Sequence, residues 1–216
     1  FICGGVESMT RVTAGFDPLP YPKSNEENPN LYFSMGITAE NVAKKYHIER
    51  RAQQDFAIGS HEKAFQAQSK GNLENEITII NNCSKDGGIR PNSSHEILDN
   101  LKLIFDPKGT VTAATSSPLT DGAATTLICE EQYAKDNNLN ILGRIVSTAV
   151  QGCSPELMGL GPIGASQKAL KRANLTIKDI DIVEINEAFA SQALACIKDL
   201  NIDEKKINLD GGAIAL

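Results

Sequence analysis

The sequence has no apolar run near the roughly 20 residues that a membrane-spanning helix needs. It also lacks a basic start followed by an apolar stretch, so no secretory signal is predicted. Basic residues are outnumbered, with 21 Lys and Arg against 27 Asp and Glu. This balance argues against a general nucleic-acid role, which needs clustered Lys and Arg, but it still allows a phosphorylated ligand held by a local basic spot.

Paired cysteine motifs are missing as well. The five cysteines are odd in number and none stands in a Cys-x-x-Cys arrangement: Cys3, Cys83, Cys129, Cys153 and Cys196. This pattern argues against a disulfide framework and against a zinc site. We therefore expect reduced thiols that behave as small buried hydrophobes, in a cytosolic or organellar compartment.

The 216 residues, 41% of them hydrophobic, suffice for one large domain or two small ones with a buried core. Phe1 is not a natural start residue, and the sequence stops on the apolar run Gly-Gly-Ala-Ile-Ala-Leu. We expect the chain to be part of a longer protein.

The first half of the sequence predicts helices after a proline-rich segment. In chain order we expect an irregular loop at 15–33, a helix at 38–46 capped by Thr38, a helix at 49–70 ending at Gly71, a strand at 76–81 and a short helix at 96–105. The long helix should bury one stripe, formed by Ala52, Phe56, Ser60, Ala64 and Phe65. Residues 109–122 are rich in small side chains, which suits a closely packed backbone.

The second half alternates strand and helix patterns. A buried strand is predicted at 124–129, further strands at 141–150, 180–185 and 207–209, and helices at 130–138, 165–173 and 187–200. This alternation predicts an α/β protein with a mostly parallel sheet that is covered on both faces.

Eight short motifs follow one another along the chain, and each alone is compatible with an ordinary turn or helix start. They are residues 4–9 (Gly-Gly-Val-Glu-Ser-Met), 35–43 (Met-Gly-Ile-Thr-Ala-Glu-Asn-Val-Ala), 87–91 (Gly-Gly-Ile-Arg-Pro), 109–117 (Gly-Thr-Val-Thr-Ala-Ala-Thr-Ser-Ser), 121–124 (Asp-Gly-Ala-Ala), 158–162 (Met-Gly-Leu-Gly-Pro), 186–190 (Asn-Glu-Ala-Phe-Ala) and 208–216 (Asn-Leu-Asp-Gly-Gly-Ala-Ile-Ala-Leu). In order and spacing, the series resembles the thiolase family from the first residue to the last.

The resemblance implies an α/β, thiolase-like layered α/β/α fold with an inserted loop domain, incomplete in this chain. Residues 1–9 and 119–142 would belong to the N-terminal half, 10–118 to the loop domain and 143–216 to the start of the C-terminal half. The family transfers acyl groups between coenzyme A thioesters through an acyl-cysteine. The reaction is either thiolytic cleavage of a 3-ketoacyl-CoA or condensation of two acetyl-CoA molecules.

The resemblance also assigns roles to single residues. Asn186 matches the catalytic asparagine whose water, with a histidine, stabilises the enolate oxygen of the substrate. The residues that match substrate or CoA contacts are Met35 in the covering loop, Arg90 near the adenine, Ala113 and Ser117 along the pantetheine arm, and Met158 and Phe189 at the acyl pocket. Their ordinary alternatives stay open: Met158 and Phe189 as core side chains, and Arg90 as a solvated charge.

The nucleophilic cysteine of the family would lie upstream in a Cys-x-Ser-Gly stretch, and the activating histidine downstream in a Gly-His-Pro stretch. A second catalytic cysteine lies near the C-terminus of the family. None of the five cysteines here matches a catalytic one. His47, His61 and His95 match no catalytic position either, and we expect them at the surface without a metal.

We therefore expect no cofactor, since coenzyme A is a substrate, with acyl-CoA and CoA as small-molecule partners and a homodimer or homotetramer as the assembly. The expected compartment is the cytoplasm, or an organellar matrix in a eukaryote. Ser34 and the stretch 184–192 are closer to the 3-ketoacyl-CoA thiolases of fatty-acid breakdown. Two alternatives remain: a condensing enzyme of the β-ketoacyl synthase type, and a non-catalytic CoA-binding or assembly protein on the same scaffold.

Overall fold

The computed structural model describes residues 1–12 and 22–216. Backbone contacts divide the chain into two units, Phe1–Pro20 with Leu119–Thr148, and Tyr21–Pro118 with Ala149–Leu216. The strands are β1 (Ile2–Glu7) and β2 (Gly122–Leu127), and the helices are α1 (Met9–Val12), α2 (Pro22–Glu27), α3 (Met35–Tyr46), α4 (Arg50–Lys70), α5 (His95–Asp99), α6 (Glu131–Asp136), α7 (Gly161–Ala173) and α8 (Ala190–Leu200). Short 3₁₀ turns lie at Pro29–Tyr32, Ala113–Thr115, Pro155–Leu160, Ile177–Asp179 and Glu204–Lys206.

The first unit is built on an antiparallel strand pair. Ile2 lies opposite Leu127 at one end, and Glu7 lies opposite Gly122 at the other. The strand predicted at 124–129 is confirmed, shifted by two residues, but the prediction that it is buried is wrong, because every residue of β1 and β2 is exposed. The strand pair carries no covering layer within the described residues.

In the described part of the chain, the predicted parallel sheet is represented by a single parallel β-bridge. Val183 forms a parallel bridge with Ile207, in which the Val183 N–H donates to Lys206 O at 2.8 Å and the Asn208 N–H donates to Val183 O at 2.9 Å. The strands predicted at 76–81 and 141–150 are not formed. A strand needs a hydrogen-bonding neighbour, and an apolar run alone does not supply one.

The second unit is organised around α8, which packs against α3, α4 and α7. Eight of its eleven residues are buried, and its apolar end joins Ile197, Leu200, Ile202 and Ile207 in one core cluster. Small residues let the helices approach closely: the Ser191 hydroxyl donates to the backbone carbonyl of Ala39 at 3.0 Å. This unit therefore holds a packed core that can position nearby loops.

The long helix was predicted correctly. Helix α4 ends at Gly71, which takes a left-handed φ of 77° and donates its N–H to the Gln68 carbonyl at 3.2 Å. Its predicted stripe is only partly right, because Ala52 and Phe65 are exposed and Phe56 is half-buried. The buried residues of the helix are Gln53, Gln54, Ala57, Ser60, His61, Ala64 and Ala67.

Several element ends differ from the predictions. Helix α3 begins earlier, at Met35, because the Ser34 hydroxyl accepts the Ile37 N–H at 3.5 Å and acts as the cap. Thr38 is instead buried inside the helix and bonds back to the Met35 carbonyl at 2.7 Å. The predicted loop at 15–33 lies outside the described residues up to position 21, and its remainder contains α2 and a 3₁₀ turn.

Four of the five cysteines depart from the expected burial. Cys3, Cys83, Cys129 and Cys153 are exposed, while Cys196 is buried, and all five are free thiols. Cys3 lies in β1, and the other three exposed cysteines lie in loops. Among the described residues, no helix is both long enough and apolar enough to cross a membrane.

Candidate functional site

All seven residues predicted for the site lie in the second unit. Met35 begins α3, Arg90 lies in the loop before α5, Ala113 opens a 3₁₀ turn and Ser117 follows it, Met158 lies in the 3₁₀ turn before α7, and Asn186 and Phe189 lie in the loop that leads into α8.

The backbone beside Asn186 is clamped by a buried asparagine. The Ile185 N–H donates to Oδ1 of Asn208 at 2.8 Å, and Nδ2 of Asn208 donates back to the Ile185 carbonyl at 2.9 Å. Asn208 is 1% exposed, so this amide substitutes for a neighbouring strand. The residue before Asn186 is thereby fixed by two hydrogen bonds.

The residue after Asn186 is fixed by a buried carboxylate. Glu187 is 2% exposed and accepts hydrogen bonds from the Ser60 hydroxyl at 2.6 Å, from Asn208 Nδ2 at 2.8 Å and from the Ile214 N–H at 3.1 Å. A buried carboxylate needs such donors to offset the loss of its hydration. Glu187 thus ties the loop to α4 and to the segment 208–214.

The side chain of Asn186 itself takes no part in this network of described residues. It is exposed and forms no hydrogen bond within the described residues. An amide with free donors and acceptors on an immobilised backbone can bind a water or an oxyanion.

Aromatic and backbone contacts join Phe189 to two of the other positions. The Phe189 ring packs edge-on against Phe105, with centroids 6.0 Å apart and planes at 80°. Phe105 in turn lies against Gly36, next to Met35. On the other side, Ser116 forms an antiparallel bridge with Phe189, and the Ser117 N–H donates to the Ala188 carbonyl at 3.0 Å.

The turn that carries Met158 packs against both α3 and α8, and Gly159 leaves no room for a side chain beside Gln192. Met158 and Met35 are each about half exposed, at 46% and 48%. Contacts thus connect Met35 and Ser117 with Phe189, and Met158 lies in a turn that packs against both α3 and α8.

Arg90 is held through its backbone only. Its N–H donates to Nδ1 of His61 at 3.1 Å, and its carbonyl accepts from the Ser93 hydroxyl at 2.8 Å. Its side chain is exposed and forms no hydrogen bond with the other six positions among the described residues. Ala113 is likewise exposed.

The expectation that His61 lies at the surface is wrong. This histidine is 6% exposed because it lies on the buried face of α4, whereas His47 is exposed and His95 is half-buried beside Asp55. Burial lowers the pKa of His61, and the nearby charge of Arg90 lowers it further. The neutral ring that results can accept the Arg90 N–H.

Cys196 does not offer a nucleophile. Its burial raises the pKa of the thiol to about 11, so it is protonated at neutral pH. Its Sγ donates instead to the Gly159 carbonyl at 3.4 Å. Within residues 1–12 and 22–216, no group of three or more His, Cys, Asp or Glu side chains could hold a metal ion.

Comparison with known families gives a consistent outcome over nearly the whole chain. A family model described as thiolase, N-terminal domain, matches residues 1–132, and one described as thiolase, C-terminal domain, matches residues 139–216. The chain belongs to the thiolase family.

Curated relatives agree with this assignment. A 3-ketoacyl-CoA thiolase of Shewanella loihica is 45% identical over 229 residues, and one of Photobacterium profundum is 44% identical over 228 residues. Each alignment covers 100% of this chain and 59% of the relative. The chain therefore spans under two thirds of the length of these thiolases.

Solved structures confirm the α/β thiolase fold. The dimeric peroxisomal thiolase of Saccharomyces cerevisiae is 40% identical with a TM-score of 0.95, and the match covers 100% of this chain and 57% of that one. Human mitochondrial 3-ketoacyl-CoA thiolase in complex with CoA is 36% identical with a TM-score of 0.88, covering 100% and 59%. These matches favour the thiolase assignment over the β-ketoacyl synthase type.

Sequence reasoning missed three residues that hold the loops of the candidate site. They are Glu40, Glu187 and Asn208, all of them buried and all hydrogen-bonded to loop backbone. For Glu40 a signal existed: Gly36, Glu40 and Ala43 fall at helical spacing on one buried face of α3, where a carboxylate is out of place unless it is paired.

Proposed function

We propose that the polypeptide carrying this chain is an acyl-CoA acyltransferase that cleaves 3-ketoacyl-CoA with CoA through an acyl-cysteine. The supporting observation is Asn186, an exposed amide that bonds to none of the described residues, on a backbone that Asn208 and Glu187 fix from both sides. The family and the relatives named 3-ketoacyl-CoA thiolase support the same reaction. Thiolysis is favoured over acetyl-CoA condensation by Ser34 and by the stretch 184–192.

The residues of this chain have defined parts in that reaction. A cysteine thiolate attacks the 3-keto carbon, the bond between C2 and C3 breaks, and acetyl-CoA leaves as its enolate before it is protonated. The amide of Asn186 holds a water against the enolate oxygen as charge develops there. The acyl group then passes from the cysteine to the sulfur of a second CoA. None of the five cysteines of this chain is proposed as that nucleophile.

Contacts to CoA are proposed for Met35, Arg90, Ala113, Ser117, Met158 and Phe189. The contacts that connect Met35 and Ser117 with Phe189 support this, as do the small side chains of 109–117, which suit a narrow ligand site. No other cofactor is needed for the proposed chemistry, because CoA is itself a substrate. The human relative, described in complex with CoA, lends support.

The proposed assembly is a homodimer or homotetramer, and the yeast relative is described as dimeric. The proposed compartment is the cytoplasm, or an organellar matrix in a eukaryote. Light scattering on the expressed polypeptide tests the assembly, and a monodisperse monomer would contradict it.

The decisive experiment is an assay of the polypeptide expressed from the complete coding sequence. Acetoacetyl-CoA and a longer 3-ketoacyl-CoA are each mixed with CoA, and the acyl-CoA products are separated by chromatography. Formation of acetyl-CoA that needs both substrates supports thiolysis. Tight CoA binding without any turnover would instead favour the non-catalytic CoA-binding alternative.

A further inference from the structure

A second buried carboxylate, on α3, contacts a different part of the site. Glu40 is 8% exposed and faces the start of the small-residue loop, which we define as residues 109–117. Among the described residues, no lysine, arginine or histidine forms an ion pair with it. A buried carboxylate without a cation must be satisfied by hydrogen-bond donors.

The small-residue loop supplies those donors. The Val111 N–H donates to Oε1 of Glu40 at 2.9 Å, and the Thr110 N–H is shared between Oε1 at 3.0 Å and Oε2 at 2.9 Å. The Thr110 hydroxyl adds a hydrogen bond to Oε2 at 3.2 Å. Two successive backbone N–H groups converge on one anion, which fixes the direction of the chain at that point.

The Glu40 carboxylate is packed tightly against the backbone of Gly109. A Cβ on Gly109 would lie 2.1 Å from Oε1 of Glu40, so any other residue there would displace the carboxylate. From α4, the buried Gln53 donates to the Thr110 hydroxyl at 2.8 Å and holds the same threonine from the other side. The N-terminal end of the small-residue loop is thus hydrogen-bonded to both α3 and α4.

The C-terminal end of the small-residue loop is hydrogen-bonded to the loop that precedes α8. The Ser117 N–H donates to the Ala188 carbonyl at 3.0 Å, directly beside Phe189. Between these two ends of the loop, Thr112 and Thr115 form hydrogen bonds with each other. They shape a single 3₁₀ turn that leaves Ala113 exposed. Helix α3 also presents Met35 at its start, so one helix bears a proposed CoA contact and the anchor of the loop that bears two more.

We propose that Glu40 is a positioning residue that preorganises the small-residue loop for CoA. The inference rests on the proposed function and adds to it a residue that touches neither the reacting atoms nor CoA. A loop that is already ordered loses little conformational freedom when the ligand binds, whereas a released loop must be ordered at the expense of affinity. Loss of the anchor should therefore weaken CoA binding and leave the chemical step nearly unchanged.

The test compares Glu40→Ala with Glu40→Gln, Gly109→Ala and the control Glu62→Ala, which removes an exposed glutamate on α4. Glu40→Ala is expected to raise KM for CoA about tenfold with kcat within about twofold. Glu40→Gln keeps one oxygen for the Val111 N–H and should recover most of the affinity. Gly109→Ala should reproduce Glu40→Ala by displacing the carboxylate, and it carries the test if Glu40→Ala does not fold.

Hydrogen exchange of the same proteins separates positioning from general destabilisation. In Glu40→Ala, the amides of Thr110 and Val111 should exchange faster while those of α4 keep the wild-type rate. A wild type that binds CoA, with an unchanged KM in Glu40→Ala and Gly109→Ala, would overturn this inference alone. A wild type that neither cleaves 3-ketoacyl-CoA nor binds CoA would overturn the proposed function and this inference with it.

Discussion

The hydroxyl of Ser60 donates a 2.6 Å hydrogen bond to the carboxylate of Glu187, and both side chains are buried. The same Ser60 oxygen accepts the Gly212 N–H at 3.2 Å, so one hydroxyl connects α4, the Asn186 loop and the segment after Asn208. Gly212 has no room for a side chain, since a Cβ there would lie 2.2 Å from the Glu187 carboxyl carbon. These contacts fix the backbone next to Asn186, the catalytic candidate.

Ser60→Ala is expected to lower the free energy of unfolding by about 1.5–3 kcal/mol, the usual range for a hydrogen bond to a charged group. The reason is that Glu187 loses its shortest donor in a buried place. Urea unfolding of the variant and of the control Ser69→Ala, an exposed serine on the same helix, measures the effect. Equal stability of the two variants would show that Glu187 does not depend on Ser60.

Asn186→Ala should reduce kcat about 10²–10³-fold, which corresponds to roughly 2.7–4 kcal/mol for one oxyanion donor. The fold should survive, because the exposed Asn186 side chain bonds to none of the described residues. Steady-state kinetics with a 3-ketoacyl-CoA measure the change, and Asn100→Ala, an exposed asparagine after α5, is the control. An unchanged turnover number would remove Asn186 from the mechanism.

The sequence predicted best where local chemistry decides the structure. Helix α4 is confirmed because Gly71 can adopt the left-handed conformation that ends a helix, whatever the rest of the fold. The predicted cap of α3 was Thr38, but the structure uses Ser34, and Thr38 faces the core. Cap propensity did not reveal this, because burial of Thr38 is a tertiary effect.

The sequence was least informative where strand pairing, or contacts between residues far apart in the sequence, decide the structure. The stretch 141–150 is rich in apolar and β-branched residues, yet it forms no strand. The anchoring roles of Glu40 and Glu187 depend on residues 70 and 127 positions away, at Thr110 and Ser60. No periodicity within a single element encodes such contacts.

Stability should fall when His61 becomes protonated. Its folded-state pKa is lowered from 6.5, chiefly by burial, so the unfolded chain binds the proton more readily. The contribution of this group is therefore complete above about pH 6.5 and is lost as the pH falls towards the lower folded-state pKa. Protonation would also remove Nδ1 as the acceptor for the Arg90 N–H.

Thermal unfolding between pH 7.5 and pH 5 measures this dependence. His61→Asn keeps an acceptor for Arg90 without a titrating ring, and its melting temperature should fall less than that of the wild type over this range. His47→Asn is the control, because His47 is exposed and its left-handed conformation suits asparagine. If His61→Asn and His47→Asn followed the same pH profile, His61 would not be the sensitive group.

Gly36→Ala should destabilise the protein even though alanine favours helices. A Cβ at position 36 would lie 2.1 Å from the ring of Phe105, whose edge-on contact with Phe189 continues into the site. Overpacking of this kind costs about 1–3 kcal/mol, more than the roughly 0.5–1 kcal/mol that alanine contributes over glycine inside a helix.

Gly59→Ala, on α4, provides the matched control because a Cβ there meets nothing within 4 Å. It should raise the free energy of unfolding by about 0.5–1 kcal/mol, so the two glycine substitutions are expected to have opposite signs in urea unfolding. Gly36→Ala should also raise KM for the 3-ketoacyl-CoA, because a displaced Phe105 no longer supports Phe189. Stabilisation by both substitutions would mean that Phe105 moves aside without cost, and that the ring pair does not define the pocket.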